Sequence, residues 1–253
     1  MRRSATGATD GGGRMTGEAA ELARAQSRIA WRRWLMRGLI RTVGYTLLAR
    51  VTSTGKQHIP DDAPCILMMS HISAIDPAVC IGEITNRYVI PMTKVENTHN
   101  PLLRLIVWWW GAYTVRRETV DRRALTQSVD LLNAGQMLLI APEGTRHPHG
   151  LGEGKDGLAF VAARTGAVIV PAAINHTQDF MRRWKRLKRA RADISFGRPF
   201  RFKTAGRSRI PRDELRLMTR EAMYQLAITQ PDPALRGVYS EIDNATTTTL
   251  EFV

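Results

Sequence analysis

The sequence predicts an α/β fold: a single domain with a mostly parallel central sheet flanked by helices, preceded by an N-terminal amphipathic helix that associates with a membrane. Three observations predict it. From residue 64 onward, short apolar runs alternate with helical stretches, the pattern of strands joined through covering helices. Gly or Asp-Pro punctuates the joints. Ahead of them, residues 18–50 repeat Trp and Leu on one four-residue step and Arg on another.

Taken in order, residues 1–17 read as a disordered Gly-rich tail. Its twin Arg is followed by no apolar core, so no signal peptide is expected, and Met15 offers an alternative start. In 18–50, Trp31, Leu35, Leu39 and Val43 form one stripe, and Arg33, Arg37 and Arg41 the opposite one. A helix lying in a membrane interface has this pattern, with Trp and Leu among acyl chains and Arg toward phosphates. A surface helix packed on its own domain has it too. No stretch of 18 residues is free of charge, so no ordinary transmembrane helix is expected.

Residues 64–70 read as a buried strand, and Asp76-Pro77 opens a helix, with Asp76 as its cap. A strand follows at 87–94, a short helix at 100–110 and a strand at 111–115. Residues 119–134 make an amphipathic helix that Gly135 stops. A strand at 137–141 precedes a helix at 156–165, and strands follow at 167–174 and 192–197. The last helix spans 211–229. Residues 51–239 therefore form the domain, and 240–253, with a Thr run, a flexible tail.

Hydrophobic residues make up 43%, too few for a bundle of membrane spans. The net charge of +14 favours polyanions, either an anionic bilayer or nucleic acid. No nucleic-acid motif accompanies it, so no nucleic-acid partner is expected. Cys65 and Cys80 stand alone in apolar stretches and read as buried, with no disulfide or zinc site.

The chemistry starts at His71 and Asp76. Their five-residue spacing keeps them apart on a continuous helix. A loop at His71 followed by a helix starting at Asp76 brings them together. A carboxylate then fixes the imidazole's tautomer and stabilises its cation, making a general base for a hydroxyl. Glu143-Gly144-Thr145-Arg146 follows a strand directly. Gly144 allows close backbone approach, Arg146 can grip a phosphate through two parallel bonds, and Glu143 can accept from a hydroxyl or hold an Arg. The same turn also suits a solvated Glu–Arg pair. Arg116 and Arg117 end a strand, where open α/β sheets bind ligands. Pro171 bends an apolar strand.

These elements, in this order, resemble the glycerolipid acyltransferase family typified by bacterial 1-acylglycerol-3-phosphate acyltransferase. His71 and Asp76 match its first motif, Gly111 through Arg117 its second, Glu143 through Arg146 its third, and Val170 and Pro171 its fourth. Lys155 and Gly157 fit a Lys-x-Gly that often follows the third. Ser70, Thr114 and His147 depart from common family residues. The resemblance, over roughly residues 50–200, implies that His71 is the base and that Asp76 orients it. It implies substrate contacts from Gly111, Arg117, Glu143, Gly144, Thr145, Arg146, Lys155 and Pro171, with Lys94 as a further phosphate ligand. It implies acyl transfer from acyl-CoA or acyl carrier protein to a lysophospholipid, chiefly 1-acyl-sn-glycerol-3-phosphate. No metal, cofactor or acyl-enzyme is implied. Other acceptors, such as glycerol 3-phosphate or a glycolipid, and a non-catalytic lipid-binding protein are the competing readings. The expected location is the cytoplasmic face of the cell membrane, peripheral or monotopic. Trp108, Trp109 and Trp110 cannot all face one core, and at least one is expected at an acyl groove or interface. Residues 180–191 interleave Phe180, Met181, Trp184 and Leu187 with cations at helical spacing and are expected to meet an anionic leaflet.

Overall fold

The computed structural model describes residues 17–116, 121–204, 207 and 209–253. The expected tail lies outside them, except Gly17, which opens a helix. Two helices come first, α1 (Gly17–Arg28) and α2 (Ala30–Leu39), and α2 continues as wider π-helical turns over Ile40–Leu48. The single helix expected over 18–50 is therefore interrupted at Ile29, and its last two residues already belong to β1 (Ala49–Thr54).

The domain then alternates as expected. It runs β2 (Cys65–Met69), α3 (Asp76–Glu83), β3 (Val89–Lys94), α4 (Pro101–Trp110), β4 (Tyr113–Val115), α5 (Arg122–Asn133), β5 (Met137–Ile140), α6 (Gly157–Thr165) and β6 (Val168–Asn175). After these come α7 (Phe180–Trp184), β7 (Ala190–Phe196), β8 (Phe200–Phe202), α8 (Arg212–Thr229) and β9 (Leu250–Phe252). Among the described residues the strands form one sheet in the order β1-β7-β6-β2-β5-β3-β4, with β8 and β9 joined through β6. The β6/β7, β6/β8 and β8/β9 pairs are antiparallel, and the others are parallel.

Strand β2 explains the two-layered core. Its side chains alternate by period two, and both faces are buried. Ile66 and Met68 join Leu132, Leu158, Met218 and Met223 under α5, α6 and α8. Cys65, Leu67 and Met69 join Val79, Cys80 and Ile84 under α3. Burial pushes the Cys65 thiol up to about 12 and Cys80 well above its usual value, which leaves both inert.

Two expectations are reversed. The Arg stripe of the N-terminal segment faces the protein. Arg33 is buried and donates to the Trp110 carbonyl at 2.8 Å. Arg37 donates to the Ile84 and Arg87 carbonyls, and Arg41 to Gly82 at 2.7 Å. The Trp110, Gly82 and Ile84 carbonyls lie at helix carboxyl ends, where positive charge is favoured. Trp31, Trp34, Leu35, Leu39, Val43 and Leu47 are consequently the exposed stripe, and Leu102, Leu105, Ile106 and Trp108 of α4 are exposed with them. Among the described residues no helix is long and apolar enough to cross a membrane.

The second reversal is the expected loose tail. Residues 250–252 pair with β8, and the buried Glu221 carboxylate accepts from the Thr246 hydroxyl and the Thr248 and Thr249 amides at 2.6, 2.8 and 2.9 Å. A buried charge has to be satisfied in this way, and its donors fix the segment. The helical spacing read over 180–191 also ends early. Only Phe180–Trp184 is helical, followed by a turn and β7.

Candidate active site

His71 follows β2 at the carboxyl edge of the sheet. Its Nδ1 lies 3.1 Å from Asp76 Oδ2. A carboxylate only accepts, so Nδ1 carries a proton, and in the neutral imidazole the lone pair is then on Nε2. Nothing bonds Nε2 among the described residues, and 13% of the side chain remains exposed. Asp76 opens α3 but does not cap it, a correction to the reading above. Its side chain turns back, and Oδ2 accepts from the Ile72 and Ser73 amides at 2.6 Å each. These two bonds form the loop that brings His71 within reach.

Oδ1 of Asp76 accepts from the Thr177 hydroxyl at 2.7 Å, across 101 positions of chain. Both Asp76 and Thr177 are fully buried. With one oxygen held by Thr177, the other must face the imidazole. No sequence signal pointed to Thr177. Its position two residues past β6, beside the loop after β2, follows only from strand order. Replacing Thr177 with Val should lower kcat about tenfold and leave the acceptor KM nearly unchanged, with Thr177→Ser restoring most of the rate. A hydrogen bond to a charged group is worth about 1.5–3 kcal/mol. Steady-state kinetics of the two variants checks this.

The Glu143 turn is stitched to His71 on both sides. Glu143 Oε1 accepts from the His71 amide at 3.4 Å, and the His147 amide donates to the His71 carbonyl at 2.7 Å. Glu143 Oε2 accepts from the Gly152 amide at 3.3 Å. Burial, helped by the negative charge of Asp76, pushes the Glu143 carboxyl up to about 7 against the pull of those amides. Gly144 closes a turn onto the Ala141 carbonyl at φ +72°, a left-handed conformation that favours glycine. A Cβ on Gly144 would stand 3.1 Å from the Lys155 side chain, a tight contact. Ser70, the departure from the common Asn, is buried and accepts from the Ile174 amide.

Thr145 and Arg146 are exposed at the turn, and Arg146 makes no ion pair among the described residues. A cavity of about 920 Å³ opens beside them, walled by Gly144, Lys155, Met92, Leu125, Ile140, Leu158 and Phe160, and carrying the cations Arg116, Arg122 and Arg212. His71 does not line it; the 141–144 turn lies between. The fold thus collects His71, Asp76, Glu143, Gly144 and Lys155.

The other residues stand elsewhere. Arg117 lies outside the described residues. Lys94 pairs with Glu96 at 3.2 Å. Gly111 ends α4 at φ +75°, where a Cβ would strike Ile29 and Arg33; it fits α4 against the N-terminal segment and touches no part of the site. Pro171 is buried inside β6, and its carbonyl accepts from the Gly197 amide. Its missing N–H faces the same side, where β6 changes partner from β8 to β7. Of the three Trp, Trp110 is buried and donates to the Val89 carbonyl, while Trp108 is exposed.

Residues 50–175 match a family model described as Acyltransferase. A 1-acyl-sn-glycerol-3-phosphate acyltransferase of Borreliella burgdorferi is 27% identical over 149 residues, which is 58% of this chain and 59% of that protein. One from Chlamydomonas reinhardtii is 32% identical over 143 residues, 52% of this chain and 40% of its own length. The chain therefore spans little more than half, or less, of these relatives. The crystal structure of the 1-acyl-sn-glycerophosphate (LPA) acyltransferase PlsC from Thermotoga maritima superposes with a TM-score of 0.60 at 18% identity, covering 91% of this chain and 89% of that one. At that identity the likeness establishes the fold.

Proposed function

This chain belongs to the acyltransferase family, and on that premise we propose that it moves a fatty acyl group from a thioester onto the free hydroxyl of 1-acyl-sn-glycerol-3-phosphate, giving phosphatidic acid. One observation carries the reading: an imidazole with Nδ1 on a buried carboxylate and a free Nε2, stitched to the Glu143 turn. His71 Nε2 takes the hydroxyl proton as the oxygen attacks the thioester carbonyl. The C–S bond then breaks, and the leaving thiolate recovers the proton from the imidazolium. Such base catalysis is worth roughly 10²–10⁴-fold.

Arg146 on the turn, with Lys155 and Arg116 at the cavity beside it, serves the acceptor phosphate, where Arg offers a bidentate fork. The mostly apolar cavity beside Gly144 suits an acyl chain. Glu143 holds the His71 loop. The donor is acyl-CoA or acyl carrier protein, and the reaction calls on no metal or cofactor.

The exposed stripe of α2 and the outer face of α4 suit a bilayer interface, and the net positive charge suits its anionic cytoplasmic face. The enzyme sits there peripherally or monotopically. Labelled acyl-CoA and acyl carrier protein, each offered with a panel of lysolipids and glycerol 3-phosphate, test the reading. Labelled phosphatidic acid is the expected product. No transfer to any acceptor from either donor overturns it.

A further inference from the structure

We propose that α7 and the basic turn that follows it, residues 181–189, form a headgroup-binding surface that seats on anionic lipid at the same sheet edge as His71. This rests on the reading above, that the substrate is presented by a membrane.

Strand β7 runs antiparallel to β6, with Asp193 opposite Asn175. Residues before Asp193 therefore project past the carboxyl end of β6. Thr177 reaches Asp76 from that same end. The turn and the catalytic pair thus share one edge.

The turn is also built for an apolar–anionic boundary. Met181 is 55% exposed, Trp184 45% and Leu187 89%. Leu187 holds φ +55°, a left-handed conformation that costs a non-glycine residue. Hydrogen bonds from the Leu187 amide to the Trp184 carbonyl and from the Lys188 amide to the Arg183 carbonyl keep it there. A strained, outward leucine gains nothing in water, but does gain at a lipid surface.

The cations divide into two sets. Arg182 is paired with Asp179, Arg183 binds the Arg189 carbonyl, and Arg189 binds the Tyr45 carbonyl. Lys185, Arg186 and Lys188 make no ion pair among the described residues and are exposed. The Arg189–Tyr45 bond fixes the turn beside the end of the π-helical stretch, where Val43 and Leu47 are exposed. The segment that carries the apolar stripe and the turn that carries the free cations are therefore neighbours. The interleaved Met, Trp and Leu favour a bilayer over an acidic protein, whose solvated helix would leave them in water. Each cation at an anionic leaflet contributes about fivefold in binding, so the three together give about a hundredfold.

The full chain is tested by flotation with phosphatidylcholine vesicles, with and without phosphatidylglycerol. Wild type should bind the anionic vesicles about a hundredfold more tightly. The triple variant Lys185→Glu, Arg186→Glu, Lys188→Glu should lose that preference, keep its binding to neutral vesicles and keep its acyl transfer in detergent micelles. Leu187→Ser should weaken binding to both vesicle types. A triple variant that retains the anionic preference overturns the proposal. So does one that binds vesicles normally but loses transfer only from acyl carrier protein, which would make the turn a carrier dock. If wild type shows no transfer in micelles, the proposed reaction fails, while the vesicle comparison still decides the surface.

Discussion

Replacing His71 with Ala should lower acyl transfer about a thousandfold while leaving the fold and vesicle binding intact. The loss is what a general base supplies. The fold survives because Asp76 keeps its bonds from Ile72, Ser73 and Thr177 when the imidazole goes, so no buried charge is orphaned. Single-turnover transfer with labelled donor, run beside thermal unfolding, separates the two effects. A rate within tenfold of wild type would exclude His71 as the base.

The second large effect is on stability, at Glu143. Its carboxyl sits at about 7 in the fold against an ordinary 4.5, so the folded chain holds that proton more tightly than the unfolded one. Its favourable contribution is complete below about pH 4.5 and is lost as pH rises to about 7. By pH 8 the ionised carboxylate costs the fold on the order of 3 kcal/mol. Glu143→Gln removes this titration. The amide also gives up one of the two acceptors used by His71 and Gly152, so the variant should be less stable than wild type at pH 5. At pH 8 the two should approach each other or cross. Urea denaturation at both pH values measures this, and the wild type-minus-variant difference cancels the other titrating groups. A difference that does not change with pH would place the Glu143 carboxyl at its ordinary value.

The parts of this molecule that were legible in the sequence share a physical cause. Strands β2, β5 and β6 are buried on both faces, so each is a continuous apolar run that reads plainly. Strand β1 lies at the edge with Arg50, Thr52 and Thr54 exposed; its first two residues read as the end of a helix and the rest as no element. Strand β8 has three residues, and β9 lay hidden in a Thr-rich stretch. The His71–Asp76 pair was legible because it is local. Thr177 was not, because its partner is a hundred residues away. The Arg stripe shows a different limit. Periodicity separates two faces of a helix, but it cannot say which one the domain takes. The carbonyls at the end of α3 decided that.

In a wholly parallel sheet, every strand is entered from the edge opposite the crevice, so whatever precedes a strand is delivered to the far side. The reversal between β6 and β7 changes that parity, and β1 inherits it by running parallel to β7. Both strands are entered from the crevice side. One flipped neighbour thus lets the chain hand two unrelated segments to a single rim, and their side chains can diverge freely without relocating either one.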